Sequence, residues 1–200
     1  MTRTTKHRIF YYLTFIVALL VLSSTLWALT QAFPESLGGI VAAYLILGLV
    51  PSRIQRRLWS DFFEGQHFQS KGKHIEALQH FEKFLKAIRK TPRLKRWIWL
   101  SNWVYTQNVE VMTLNNMGVS YLWLNKYDKA EGSLQTAREL DPESPLPYYN
   151  LSVLHFARGN QKNATECMEK AKQLGYRRSS IKRLEDMANP PSDPAGHKSG

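Results

Sequence analysis

His67, His74 and His80 fall within fourteen residues and form the cluster best suited by type to do chemistry. Imidazoles ligate zinc and shuttle protons near neutral pH. Their spacings of seven and six, however, do not line them up with carboxylates, so they read as surface or lining residues and no metal is expected. His155 stands where an aromatic would sit between helices and reads as a packed histidine. Cys167 is the single cysteine. It excludes an internal disulfide framework, fits a reducing compartment, and reads as a buried helix-face residue. No glycine-rich phosphate loop, nucleophile elbow or Cys/His metal cluster is present. The chain is therefore not expected to be an enzyme, and no cofactor is implied.

A second constellation is Pro92–Tyr105, where Arg93, Lys95 and Arg96 are followed by Trp97, Trp99, Trp103 and Tyr105. Three readings stand. The aromatics extend a core and complete a long helix, or they form a membrane-interfacial patch, or they make a partner-binding knob. In the interfacial reading, rings lie among headgroups and the cations face lipid phosphates. The formal net charge is +11, and residues 53–200 hold 24 Lys/Arg against 15 Asp/Glu. That balance favours an anionic bilayer surface. Nucleic acid is not an expected partner, because the cations are scattered and no reader motif accompanies them.

The segments that carry these residues cannot share one solvent. Ile9–Leu29 runs twenty-one residues without a charge. At ~1.5 Å per residue this crosses the ~30 Å hydrocarbon core of a bilayer. Tyr11, Tyr12 and Trp27 lie near its ends, where amphipathic rings favour the headgroup layer. A turn with Pro34 and Glu35 leads into a second apolar run, and a hairpin of spans 9–29 and 33–52 is expected. The second span is short unless all of 33–52 is used, and a re-entrant segment is its rival. Gly38, Gly39 and Gly48 would allow close packing against the first span. A cleaved signal peptide competes for the first span, but the run exceeds the ~7–15 residues of a signal core. Arg3, Lys6 and Arg8 precede the hairpin, and Arg53, Arg56 and Arg57 follow it. Both ends are therefore expected in the cytoplasm, with residues 1–8 a short cytoplasmic N-terminus. The three arginines after the hairpin belong to the expected membrane-interface set with Arg93, Lys95, Arg96, Trp97, Trp99 and Trp103.

The remainder repeats. Leu114, Met117, Gly118 and Tyr121 are followed by Ala130, Leu134, Ala137 and Pro142. A shift of 34 returns Tyr148, Leu151, Ser152 and His155, then Ala164, Met168 and Ala171. A shift of 53 in the other direction gives Gly65, Phe68, Ala77 and Phe81. Each unit reads as two antiparallel helices, with small residues where they cross and large ones between. Asn125 and Gly159 fall at equivalent turns, and Pro142 and Pro145 mark the boundary between units.

These residues resemble the tetratricopeptide repeat family over 58–176. The resemblance implies a three-repeat α-solenoid over 53–188; with the N-terminal transmembrane hairpin expected from the apolar runs, the fold class is all-α. The repeats lie near 58–91, 111–144 and 145–178, with an aromatic and basic insertion at 92–110. Ser179–Asn189 reads as a capping helix, and 189–200 as a disordered tail. In this family the first helix of each pair lines a concave groove for an extended or helical peptide. The lining residues would be Trp59, Phe62 and Gln66; Met112, Asn115, Asn116, Val119 and Leu122; and Leu146, Tyr149, Asn150, Val153 and Phe156. A subfamily grips chaperone C-terminal carboxylates with cations, but Phe62, Leu146 and Asn150 stand where those would be. An apolar lining with a few amides suits an amphipathic helix or hydrophobic segment.

The expected role is a membrane-anchored adaptor that binds a protein segment at the cytoplasmic membrane face, as an assembly factor for a membrane complex. The alternative is a structural accessory subunit held mainly through its transmembrane hairpin.

Overall fold

The computed structural model describes residues 3–33, 35, 38–39, 53–95 and 106–176. Every regular element among them is helical. The expected second span at 33–52 lies outside them except for Phe33, Glu35, Gly38 and Gly39, so a two-span hairpin is not shown. The insertion from Arg96 to Tyr105 and everything beyond Tyr176, including the expected cap and tail, also lie outside.

Helix α1 runs without a break from Arg3 to Ala32. Apolar side chains along it, among them Leu13, Val17, Leu20 and Trp27, remain exposed. Its hydroxyls bond back within the helix: Ser23 Oγ donates to the Leu20 carbonyl and Ser24 Oγ to that of Val21, both at 3.0 Å, and Thr30 Oγ1 to that of Trp27 at 2.8 Å. Polar groups satisfied internally are what an apolar surrounding requires of a helix. Among the described residues, Tyr12–Ala32 is the one stretch long and apolar enough to cross a membrane.

Among the described residues from Ser60 onward, six α-helices form three pairs. They are α2 (Ser60–Ser70) with α3 (His74–Lys90), α4 (Val109–Trp123) with α5 (Tyr127–Leu140), and α6 (Pro145–Ala157) with α7 (Gln161–Gln173). Each pair packs together, α3 packs on α4, α5 on α6, and the first helices α2, α4 and α6 meet one another in succession. This arrangement is that of an α-solenoid.

The same turn closes each pair. Gly72, Asn125 and Gly159 take positive φ of 74°, 55° and 75°. The next residue then donates its N–H to a carbonyl five residues back: Lys73 to Phe68, Lys126 to Tyr121 and Asn160 to His155, at 2.8–3.0 Å. Glycine or asparagine is needed there because other side chains collide with the backbone in the left-handed region.

Packing explains the small residues. A Cβ on Gly65 would lie 2.6 Å from the Phe81 ring, and one on Gly118 would lie 2.5 Å from Leu134. Ala77, Ala130, Ala137 and Ala171 are fully buried at the other contacts. A core of Phe62, Phe81, Phe84, Ile88, Val111, Met117 and Tyr121 runs through the first two pairs. Tyr149, Val153, Met168 and Ala171 form a second cluster, covered by Leu122, Tyr148 and Tyr176.

Candidate protein-binding groove

The first helices present the residues expected to line a groove, and these fall into two groups. Met112, Asn115, Tyr149, Asn150 and Val153 are buried, each 5% exposed or less. Asn116, Val119, Leu122 and Phe156 are half-buried, as are Gln66 and Leu146. The buried amides satisfy each other: Asn150 Nδ2 donates to Asn115 Oδ1 at 2.7 Å. Tyr149 packs against Tyr176, with ring centroids 4.4 Å apart and the rings tilted by 33°. The Asn116 carbonyl accepts from Gln69 Nε2 at 2.8 Å, and the same amide reaches Ser120 Oγ at 2.9 Å, tying α2 to α4. The open part of the face is thus a strip of Asn116, Val119 and Phe156, with Leu122 shared between strip and core.

In the first pair, Trp59 and Phe62 are fully buried and belong to the core. Trp59 packs edge-on against Phe62 and Phe84, and its Nε1 donates to the Leu94 carbonyl at 3.0 Å. The short turn after α3 therefore covers positions that periodicity places in the groove. Nothing local in the sequence announces that cover.

The basic residues are placed differently from one another. Arg53, Arg56, Arg57 and Arg93 are exposed. Lys95 instead directs Nζ to Glu110 Oε2 at 2.6 Å, while Arg89 Nε holds Glu110 Oε1 at 2.7 Å. Burial pushes the Glu110 carboxyl up, but the two hydrogen bonds and their positive charges outweigh it and hold it below the usual carboxylate range. Thr106 Oγ1 donates to buried Asp141 Oδ2 at 2.6 Å. The two sides of the insertion are thus pinned to the helix pairs. Arg96, Trp97, Trp99 and Trp103 lie outside the described residues.

The histidines also separate. His67 is exposed, and His74 stacks on Trp123 at 5.6 Å and 5°. Burial pushes the His74 and His155 imidazoles below their ordinary pKa; at His155 the nearby Glu131 carboxylate opposes the shift. His80 does line up with carboxylates, contrary to the spacing argument, because they come from the facing helix: Asp61 and Glu64 of α2. Cys167 is half-buried, and burial raises its thiol pKa, which disfavours the thiolate.

The third pair combines a positive-φ turn at Gly159, a Pro145 start and buried Ala164, Met168 and Ala171. Residues 147–174 match the tetratricopeptide repeat. No curated protein matches the chain. Tetratricopeptide repeats mediate protein–protein interactions, and this one points to an adaptor. The helix pairs offer surface and hydrogen-bonding groups, with the half-buried positions on α4 and α6 as the accessible portion.

Proposed function

We propose that the chain is a membrane-anchored adaptor with no catalytic role, which holds a protein segment at the cytoplasmic face of a bilayer and serves the assembly of a membrane complex. The observation that carries this reading is the pairing of two features in one chain. One is a tetratricopeptide repeat beside a half-buried apolar and amide strip; the other is a 30-residue helix with bare apolar side chains. Arginine and lysine on both flanks of the apolar region support the cytoplasmic orientation. The strip's composition fits an amphipathic helix or hydrophobic segment of a membrane subunit.

The test is mild-detergent purification of the intact chain with mass spectrometry of what accompanies it. Val119→Glu combined with Phe156→Glu introduces charge where a helix would dock, at half-buried positions. The double variant should lose its stoichiometric partner at least tenfold while keeping the wild-type melting temperature within a few degrees. Retention of every partner would remove the groove from the proposal.

The burial of Trp59, Phe62, Met112, Asn115, Tyr149, Asn150 and Val153, which leaves little of the expected lining accessible, favours a second reading, a structural accessory subunit held through its membrane segments. Removing residues 53–200 separates the two. A subunit of that kind stays with its complex, whereas an adaptor loses its client.

A further inference from the structure

Outside the groove, the first helix pair gathers three ligating side chains. Asp61 and Glu64 are one turn apart on α2 and share a face, and His80 meets them from α3. His80 Nδ1 lies 3.4 Å from Asp61 Oδ1 and 3.3 Å from Glu64 Oε2. One ligand atom from each residue falls within 4.8 Å of the others. The two His80 separations are long for a nitrogen–oxygen hydrogen bond, usually ~2.9–3.0 Å. They match neighbouring ligands on a tetrahedral ion, where bonds of ~2.0–2.2 Å place donor atoms about 3.3–3.6 Å apart. Two features hold the geometry. Gly65 lets α2 and α3 approach closely, and the His80 ring stacks on Phe68 at 5.2 Å and 15°.

We propose that Asp61, Glu64 and His80 bind a divalent cation of the zinc class, which fastens α2 to α3 with solvent completing its shell. One imidazole nitrogen with two carboxylate oxygens suits zinc and its transition-metal neighbours, whereas calcium and magnesium prefer oxygen alone. The side chains are 20%, 56% and 25% exposed in the order named, so water reaches the open side. Lys83 is the built-in competitor: its Nζ lies 2.9 Å from the same Asp61 Oδ1. At 72% exposed, it is free to swing into solvent when an ion arrives. This gives the proposal a signature that a plain ion-pair network lacks, because removing the Lys83 charge strengthens metal binding. The site stands independently of the groove.

The experiment uses the full chain in detergent, stripped with chelator and titrated with Co²⁺ and then Zn²⁺. One equivalent of Co²⁺ should bind with the visible absorption of a low-coordinate ion and be displaced by Zn²⁺. Zinc should raise the melting temperature. His80→Gln and Glu64→Gln should each weaken zinc binding tenfold or more and abolish the thermal shift, while Lys83→Met tightens binding severalfold. Wild-type affinity and spectrum in His80→Gln, or no stoichiometric binding at 100 μM metal, would overturn the proposal. Should His80→Gln fail to fold, Glu64→Gln alters a more exposed residue and reads the same loss; unchanged affinity there would overturn it equally.

Discussion

Gly118 and Gly132 sit on the two helices of one pair, and the structure assigns them opposite tolerances. On α4, a methyl group at Gly118 would lie 2.5 Å from Leu134 Cγ, inside a packed contact that must shift to admit it. Overpacking of that kind costs ~1–3 kcal/mol. On α5, a methyl group at Gly132 meets nothing within 4 Å, and the residue is exposed. Alanine there removes the entropic penalty of a mid-helix glycine, a gain of up to ~1 kcal/mol. Urea unfolding of the two variants should therefore move the midpoint in opposite directions, down for Gly118→Ala and up for Gly132→Ala. The same reasoning explains why Ser152 occupies the equivalent place in the third pair. It is fully buried, and its hydroxyl donates to the Tyr149 carbonyl at 2.6 Å.

Between elements, Glu110 is the joint that connects α3, the turn after it and α4. Its carboxyl is held below its unfolded value of about 4.3 by Arg89 and Lys95 against the opposing effect of burial. A depressed folded pKa means that the stabilisation is complete above about pH 4.3 and is lost as pH falls through the folded value. Glu110→Gln lacks this contribution at every pH. The variant should be less stable than wild type at pH 7 by about 1 kcal/mol, the scale of a partly exposed charge pair. The gap should close under acid, and unfolding curves between pH 3 and 7 would measure it. Elements also differ in how far the sequence discloses them. The helix pairs are legible because small residues, large residues and turn residues recur at fixed spacing, each imposed by a local contact such as Gly118 on Leu134. The cover over Trp59 and Phe62 is not, because Leu94 is thirty-five residues from Trp59 and the bond uses a backbone carbonyl that carries no residue signature. The meeting of His80 with Asp61 and Glu64 is hidden for a related reason. Spacing along a single stretch of chain cannot reveal ligands from two helices, although the 34-residue register does place α2 opposite α3. Asn116 and Asn150 are equivalent positions in the 34-residue register, but the bond Asn150 makes runs to Asn115, one residue out of register, and depends on how α4 and α6 stack.

At the scale of the whole molecule, the proposed orientation rests on charge and can be decided by which side of the bilayer each end occupies. Arg3, Lys6 and Arg8 lie on one flank of the apolar region, Arg53, Arg56 and Arg57 on the other, and only Glu35 between. Each cation carried across a bilayer opposes insertion, so lysine and arginine in short flanks remain on the cytoplasmic side. If α1 and the 33–52 run both cross, the two ends of the chain face the same compartment. If α1 alone crosses, they face opposite ones, and one basic flank lies on the unfavourable side. Cys167 is the single native cysteine, so Cys167→Ser gives a background without thiols. Thr4→Cys and Ser199→Cys, placed one at a time in that background, can then be reacted with a membrane-impermeant maleimide on sealed vesicles of known sidedness. The proposed topology requires both to be labelled when the cytoplasmic face is outside and neither when it is inside. Labelling of the two from opposite sides would show a single crossing. That result would move the strip on α4 and α6 to whichever compartment holds Ser199, and with it the place where a client could be met.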